Sequence, residues 1–320
     1  MTENNSKCAF CESKRSNIKY PTTDIFSNHY TINQCEDCHA YFLAPRPDEE
    51  RLQQAYDVSY YGEKEEKFEG IYEKVINYFR DLRARKISRF IPKEANILDI
   101  GCGNGNFLMS FRKFGNYSLF GIEREGNSAT RALRHTEINL TIGSLENSQF
   151  EKNTFDLITL IHVFEHLTEP RKTMDIINKI IKPGGILVMS FPNIASWQSK
   201  MFKGNWLHLD APRHLFFFDP KAFADLMKKN GFTIIQSSYA STEQNPFGMV
   251  QSLLNCILKK KDVLFERLKG NTNYASEYGK ISVFFQKLFF ICLFPFFTIT
   301  DLIFSPFRIN ATVKFILRKN

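Results

Sequence analysis

Several features are missing from this 320-residue chain, and each absence removes a class of protein. The first seven residues, Met1-Thr2-Glu3-Asn4-Asn5-Ser6-Lys7, contain no apolar core of a secretory signal, so the body of the protein is expected in the cytosol, where thiols stay reduced. The most apolar segment, 282–307, has an uncharged core of only 13 residues at 288–300, short of the roughly 20 that a spanning helix requires. There is no internal repeat and no long low-complexity linker. The glycines at 101, 103 and 105 are not followed by one at 106, where Asn106 stands, so the G-x-G-x-x-G fingerprint of hydride-transfer enzymes is absent. H-E-x-x-H, the metalloprotease helix, is absent too: Glu165 precedes the second histidine of His162-Val163-Phe164-Glu165-His166. The formal charge is +8, but 251–320 holds eleven Lys/Arg against four Asp/Glu. Nearly all the excess is therefore in the tail, which disfavours a nucleic-acid partner.

What is present begins with Ile97-Leu98-Asp99-Ile100-Gly101-Cys102-Gly103-Asn104-Gly105-Asn106-Phe107. A short apolar run fits a parallel strand buried on both faces. Glycines at alternate positions allow a tight turn and close approach of a ligand, and the helix that follows points its amides toward it. From here strands and helices alternate: strands at 96–100, 118–122, 138–142, 155–161, 186–191 and 232–239, helices at 106–114, 127–135, 171–181 and 220–230. The alternation predicts an α/β fold with a doubly wound, Rossmann-like parallel sheet. Upstream, Asp48 is placed to cap a short helix reaching Tyr56, a turn is expected at 60–62 before a charged segment at 63–69, and Ile71, Val75, Tyr78, Phe79, Leu82 and Ile87 recur at helical spacing.

The D-x-G-x-G-x-G run resembles motif I of class I S-adenosylmethionine (SAM)-dependent methyltransferases, and the likeness continues for roughly 150 residues. It implies a SAM site holding Asp99, Gly101, Cys102, Gly103, Gly105 and Phe107. Glu123 ends the second strand, with Arg124 after it. A carboxylate there can accept both ribose hydroxyls of an adenosine, and the resemblance makes it the ribose acid. Ser144 and Leu145 follow the third strand, in the turn that packs on adenine in that family. His162 and the residues after it resemble the post-strand segment of ubiquinone-type O-methyltransferases, in which that position lies beside the cofactor. Some of those enzymes bind a divalent cation through E-x-x-E-H. Here His162 replaces the first acid, and Glu165 and His166 read equally well as groups that cap and orient the loop. His166 and His214 are the candidates for a general base, needed when the acceptor is a hydroxyl or an acidic carbon.

The cysteines at 8, 11, 35 and 38 form two C-x-x-C knuckles. Four thiolates at that spacing suit a structural zinc ion with a closed coordination shell. Cys102, Cys256 and Cys292 read as small buried hydrophobes. The segment with Trp197, Trp206, His208, Arg213 and His214 is an insertion placed over the cofactor mouth. Its mixed aromatic and polar character suits a sugar or aromatic acceptor, or else a packed lid that touches no substrate. The pattern W-x-H-x-x-x-P-R-H-L followed by F-D-P resembles a methyltransferase subgroup that carries an N-terminal zinc ribbon and serves surface-polysaccharide and sugar-modifying pathways.

The expected organisation is a zinc ribbon over 1–45, a helical linker over 46–94, a SAM-binding domain over 95–250 with an acceptor lid at 193–218, and a basic, Phe-rich tail over 251–320. The expected function is methylation of a sugar or glycan intermediate, lipid-linked or nucleotide-linked, in cell-surface polysaccharide biosynthesis; the alternative is a quinone or membrane lipid, and behind it stand an RNA methyltransferase and a non-catalytic binding module. The tail holds nine phenylalanines in 282–307. With Pro295 expected to kink any helix there, it suggests in-plane or re-entrant attachment to the cytoplasmic face of a membrane. Lys259, Lys260, Lys261, Arg308, Lys314, Arg318 and Lys319 would meet anionic headgroups, and the alternative is a packed hairpin or a dimer surface.

Overall fold

The computed structural model describes residues 7–8, 10–56, 71–271, 274 and 276–320; the expected turn at 60–62 and charged segment at 63–69 lie outside them. The N-terminal part is an antiparallel meander of β1 (Ser16–Thr23), β2 (His29–Cys35) and β3 (Tyr41–Ala44). Two helices follow, α1 (Glu49–Tyr56) and α2 (Ile71–Ile87). Asp48 caps the first by accepting from the Arg51 amide at 2.9 Å. In α2 the expected apolar stripe is only partly covered, because Tyr78 and Leu82 are exposed.

The main sheet is built by β4 (Asn96–Ile100), α3 (Asn106–Ser110), β5 (Ser118–Glu123), α4 (Asn127–Ala132), β6 (Ile138–Ile142), β7 (Phe155–Ile161), α5 (Pro170–Ile180) and β8 (Ile181–Pro192). After it come α6 (Trp197–Phe202), β9 (Phe216–Phe217), α7 (Pro220–Lys229), β10 (Phe232–Ser238), α8 (Gln244–Ile257), α9 (Val263–Leu268), α10 (Lys280–Phe304) and β11 (Thr312–Lys319). The seven strands run in the order β10-β11-β8-β7-β4-β5-β6. β8, β7, β4, β5 and β6 pair in parallel, while β11 is antiparallel to both its neighbours. The chain winds outward from β4 in two directions, so the strand order reverses between β4 and β7, and a crevice opens beyond their carboxyl ends. This is the expected doubly wound α/β fold.

Two tail expectations are corrected. The C-terminal stretch Thr312–Lys319 is not an appendage: β11 lies inside the sheet, with Val313, Phe315 and Leu317 in one core layer and Ile316 in the other. The strand is hard to see in the sequence because Lys314, Arg318 and Lys319 interrupt the apolar run. Lys314 and Lys319 serve the sheet rather than a headgroup, while Arg318 stays exposed. Lys319 Nζ donates to the carbonyls of Asn178 and Ile181, and burial pulls Lys314 down to about 8. Lys261 is half-buried and turned into the fold, donating to Thr22 and Thr23. Pro295 lies inside α10, which runs unbroken over 25 residues.

The expected ribbon and lid are also less separate than the sequence suggests. β9, from the lid, pairs with β3 and completes the N-terminal sheet. The ribbon's Phe10 packs edge-on against Phe218 at 5.4 Å.

Truncating Ile316, which is buried in β11, to alanine should lower unfolding stability by about 2–5 kcal/mol. Urea denaturation followed by circular dichroism measures this.

Candidate functional site

Gly101, Gly103 and Gly105 all take positive φ, at 72°, 60° and 79°, so the loop after β4 winds in a conformation that L side chains avoid. Gly101 is further constrained: a Cβ there would lie 2.4 Å from Val163 Cγ2, so the glycine lets the loop after β7 close onto the loop after β4. The loop presents its amides to the acid expected from the sequence. Glu123 Oε2 accepts from the Gly103 amide at 2.6 Å, and Oε1 accepts from the Arg124 amide at 3.2 Å. Burial raises the Glu123 carboxyl, opposed by those two amides.

Glu123 and Arg124 line a cavity of about 840 Å³, whose opposite wall is α1 with Leu52, Gln53 and Tyr56. Its size suits a drug- or nucleoside-sized ligand. Arg124 stacks on the Tyr56 ring at 4.6 Å. Asp99, Cys102 and Phe107 lie deeper. Asp99 is buried, accepts from Thr159 Oγ1 at 2.5 Å and is pushed up to about 7 by desolvation. Cys102 and Phe107 are buried in the core beneath the loop. In the turn after β6, the Leu145 side chain packs into the main core, leaving Gly143 and Ser144 as the turn's partly open positions.

The loop after β7 carries the second cluster. His162 adopts φ 56°; its Nδ1 lies 3.3 Å from Glu165 Oε1 and its Nε2 3.3 Å from Ser190 Oγ. Burial lowers it to about 3, so the ring is neutral. His166 Nδ1 lies 3.0 Å from the Arg213 carbonyl and 3.0 Å from the Tyr56 hydroxyl. His214 Nδ1 lies 2.8 Å from the His208 carbonyl. A carbonyl only accepts, so both rings carry their proton on Nδ1 and keep the lone pair on Nε2. The two rings meet edge to face at 4.5 Å, and burial drives His166 to about 4 and His214 below its ordinary value. Between them sits Glu165, buried, with Oε2 lacking a hydrogen-bond partner among the described residues. Its carboxyl is raised by desolvation.

Ligand atoms of Glu165, His166 and His214 lie within 4.8 Å of one another. Two neutral imidazoles fixed by backbone carbonyls and one buried carboxylate form a donor set that could hold a divalent cation. The sequence offers His166 and His214 separately, 48 positions apart, and does not point to Tyr56. Nothing in the sequence marks that tyrosine beyond its place at the end of a short helix.

The lid does not present the expected stacking face. Trp206 and Arg213 are each 2% exposed, and His208 and His214 are also buried. Trp206 packs with Tyr30, Leu43 and Met249. Arg213 is held by both carboxylate oxygens of Asp210 and by the Ala55 carbonyl. The lid is a packed wall, because its aromatic rings bury more apolar surface against the ribbon than an open groove would allow.

Cys8, Cys11, Cys35 and Cys38 converge: Sγ atoms stand 3.6 Å apart for Cys8–Cys38 and 3.4 Å for Cys11–Cys35, and all four lie within 4.8 Å of one another. A tetrahedron with Zn–S bonds of about 2.3 Å has edges of roughly 3.8 Å. The four thiolates are spaced to fit a zinc ion, which would hold the ribbon's two knuckles together.

The chain matches the methyltransferase domain family over residues 72–237. It belongs to that family. Among curated relatives it is similar to the mitochondrial ubiquinone biosynthesis O-methyltransferase of Dictyostelium discoideum, 28% identical over 119 residues, covering 32% of this chain and 37% of the relative. It is also similar to the corresponding mitochondrial enzyme of Schizosaccharomyces pombe, 32% identical over 102 residues, covering 29% of this chain and 36% of the relative. The chain thus spans little more than a third of the length of these two relatives. Among solved structures, the [4+2]-cyclase SpnF superposes with a TM-score of 0.51 at 13% identity, over 95% of this chain and 99% of that one. That likeness shows the fold alone.

Metal analysis of the purified full-length protein should find one zinc per chain. A Cys8→Ser variant should lose that zinc together with the ribbon's protease resistance; measurement by plasma mass spectrometry and limited trypsinolysis checks both.

Proposed function

We propose that this methyltransferase-family protein transfers a methyl group from SAM to a hydroxyl of an acceptor that resides in or near a membrane, a quinone or a lipid-linked compound. The observation that carries the reading is the contact of Glu123 with the amide of Gly103 at 2.6 Å. It puts a carboxylate at the mouth of a positive-φ glycine loop, beside a cavity of nucleoside size. When bound, SAM supplies an electrophilic methyl group on a sulfonium. Glu123 would take the ribose hydroxyls, the loop 101–105 would pack against the rest of the cofactor, and Ser144 and His162 would border it.

The acceptor's proton would go to Nε2 of His166 or His214, both neutral and held in one tautomer. Holding acceptor and donor in line would supply most of the rate, and a fixed base would add about 10²–10⁴-fold. The quinone alternative is supported by the ubiquinone O-methyltransferases that the chain resembles. The sugar reading is weakened by the burial of Trp206, His208, Arg213 and His214, with Trp197 half-buried. A second reading of the histidine pair is specifically favoured by the partnerless Glu165 Oε2: Glu165, His166 and His214 would hold a divalent cation that binds the acceptor oxygen. The ribbon would act as a structural platform for the lid.

Isothermal titration with SAM should show binding by the native protein and a fall of roughly 10–100-fold in Glu123→Ala, the loss of charge-assisted hydrogen bonds. Equal affinity in both would remove the ribose assignment.

The pH profile of kcat/KM tests the base. An ordinary histidine would give an acid limb near pH 6.5. With His166 lowered to about 4 by burial, the lone pair persists on acidification, and activity should hold down to about pH 5. His166→Gln should lower kcat by at least about 10²-fold. Dialysis against a chelator that abolishes activity, with recovery on adding a divalent cation, would favour the metal reading instead.

A further inference from the structure

We infer that α10 is a monotopic membrane seat: it lies in the plane of an anionic bilayer and does not cross it. The exposed large apolar side chains of this helix are Ile281, Phe284, Phe285, Leu288 and Ile291, then Phe296, Ile299, Leu302 and Ile303. At 3.6 residues per turn these positions fall on one face. Exposure is high for such residues: Ile281 is 75% and Ile291 65% exposed. The opposite face is packed. Val283, Gln286 and Asp301 are buried, Phe290 meets Phe247 at 5.4 Å, and Phe304 meets Trp197 at 5.9 Å. The stripe is therefore a surface of the folded protein, and not a core helix seen from the wrong side.

Length and composition alone would let the helix span a bilayer. Its anchorage does not. At its start, the Tyr278 hydroxyl accepts from the Lys260 amide at 3.0 Å. Near its end, the Asp301 carboxylate accepts from the Ser241 amide at 3.0 Å and from the side chains of Asn245 and Asn310 at 2.7 Å and 2.6 Å. A short turn later the chain enters β11, which is paired on both sides within the sheet. Both ends are thus held to the same body, so a spanning orientation would drag the sheet into hydrocarbon, where its polar groups could not be satisfied.

Charge selects the occupant. Lys280 and Lys287 project along one edge of the stripe and Arg308 follows its far end, all three exposed. The one carboxylate in 280–308, Asp301, is turned inward and buried. An apolar face with a cationic border and no outward acid suits acyl chains beneath anionic headgroups. A second copy of the chain would bring a like-charged border to the same place.

The seat also bears on the reaction, and this clause rests on the methyltransferase reading. α10 packs on the lid through Trp197, and Phe297 joins the cluster around Trp206. The bilayer would meet the protein beside the acceptor wall, so the acceptor class is one dissolved in or tethered to lipid.

Flotation of the full-length protein with vesicles tests the seat. The protein should float with phosphatidylcholine–phosphatidylglycerol vesicles, less with phosphatidylcholine alone, and be released in part by high salt. A Phe284→Glu, Ile291→Glu, Ile299→Glu triple variant should lose roughly tenfold or more of its partitioning while keeping the native unfolding midpoint and SAM affinity, since all three side chains are exposed. Wild-type protein that stays unbound to both vesicle types, or a triple variant that floats equally well, would overturn the proposal. So would a dimer in light scattering that the triple variant dissociates without any vesicle binding, or retention in the bilayer after alkaline carbonate extraction, which would mean a spanning helix. Vesicle binding without methyl transfer would defeat the functional reading and leave the seat standing.

Discussion

The arrangement depends on an aromatic junction centred on Phe164. Its ring lies 5.1 Å from Phe216, 6.1 Å from Phe223 and 6.3 Å from Phe191 and Phe218. Phe218 in turn holds Phe10 of the ribbon. One residue therefore ties the loop after β7 to β8, to the lid and to the N-terminal sheet. Interiors of this density behave as solids, so the backbone on either side of Phe164 is placed to within narrow limits. Glu165 and His166 are its immediate neighbours, and the Glu165 carbonyl accepts from the Leu215 amide at 2.8 Å. The polar cluster is precise because the apolar one beneath it cannot move.

Burial also governs the electrostatics. His162, His166, His208 and His214 are all held neutral by desolvation, whereas Asp99, Glu123 and Glu165 are all raised. As pH falls below 6.5 the histidines resist protonation in the folded state and so lose stability relative to the unfolded chain. Asp99, raised to about 7, works in the opposite sense, since the folded state takes up its proton first. The two trends oppose each other across the mildly acidic range. The site keeps unprotonated imidazoles there.

The ribbon, lid and tail serve one geometry. The lid donates β9 to the ribbon's sheet, the ribbon's aromatics close over the lid, and α10 packs on the lid's outer side before β11 returns to the core. A lid clamped on both sides has little freedom to serve as an open aromatic groove. It is well suited to present His214 from one wall and to support an apolar helix on the other.

Local pattern carried much of this protein. The strand Asn96–Ile100, the glycine loop, the acid ending β5 and the two cysteine knuckles are all legible because each is a short-range device, in which a backbone conformation or a ligand spacing dictates residue type within a few positions. What only the tertiary structure decided are the long-range meetings. Tyr56 reaches His166 across 110 positions and His214 joins it across 48, β11 enters the sheet with Lys314 opposite Ser238 and Ser190, 76 and 124 positions earlier, and α10 exposes one face while its ends are tethered. Periodicity says which residues seek an apolar partner. It does not say which distant surface supplies one, because burial is non-directional and the choice is made by the packing of the whole core.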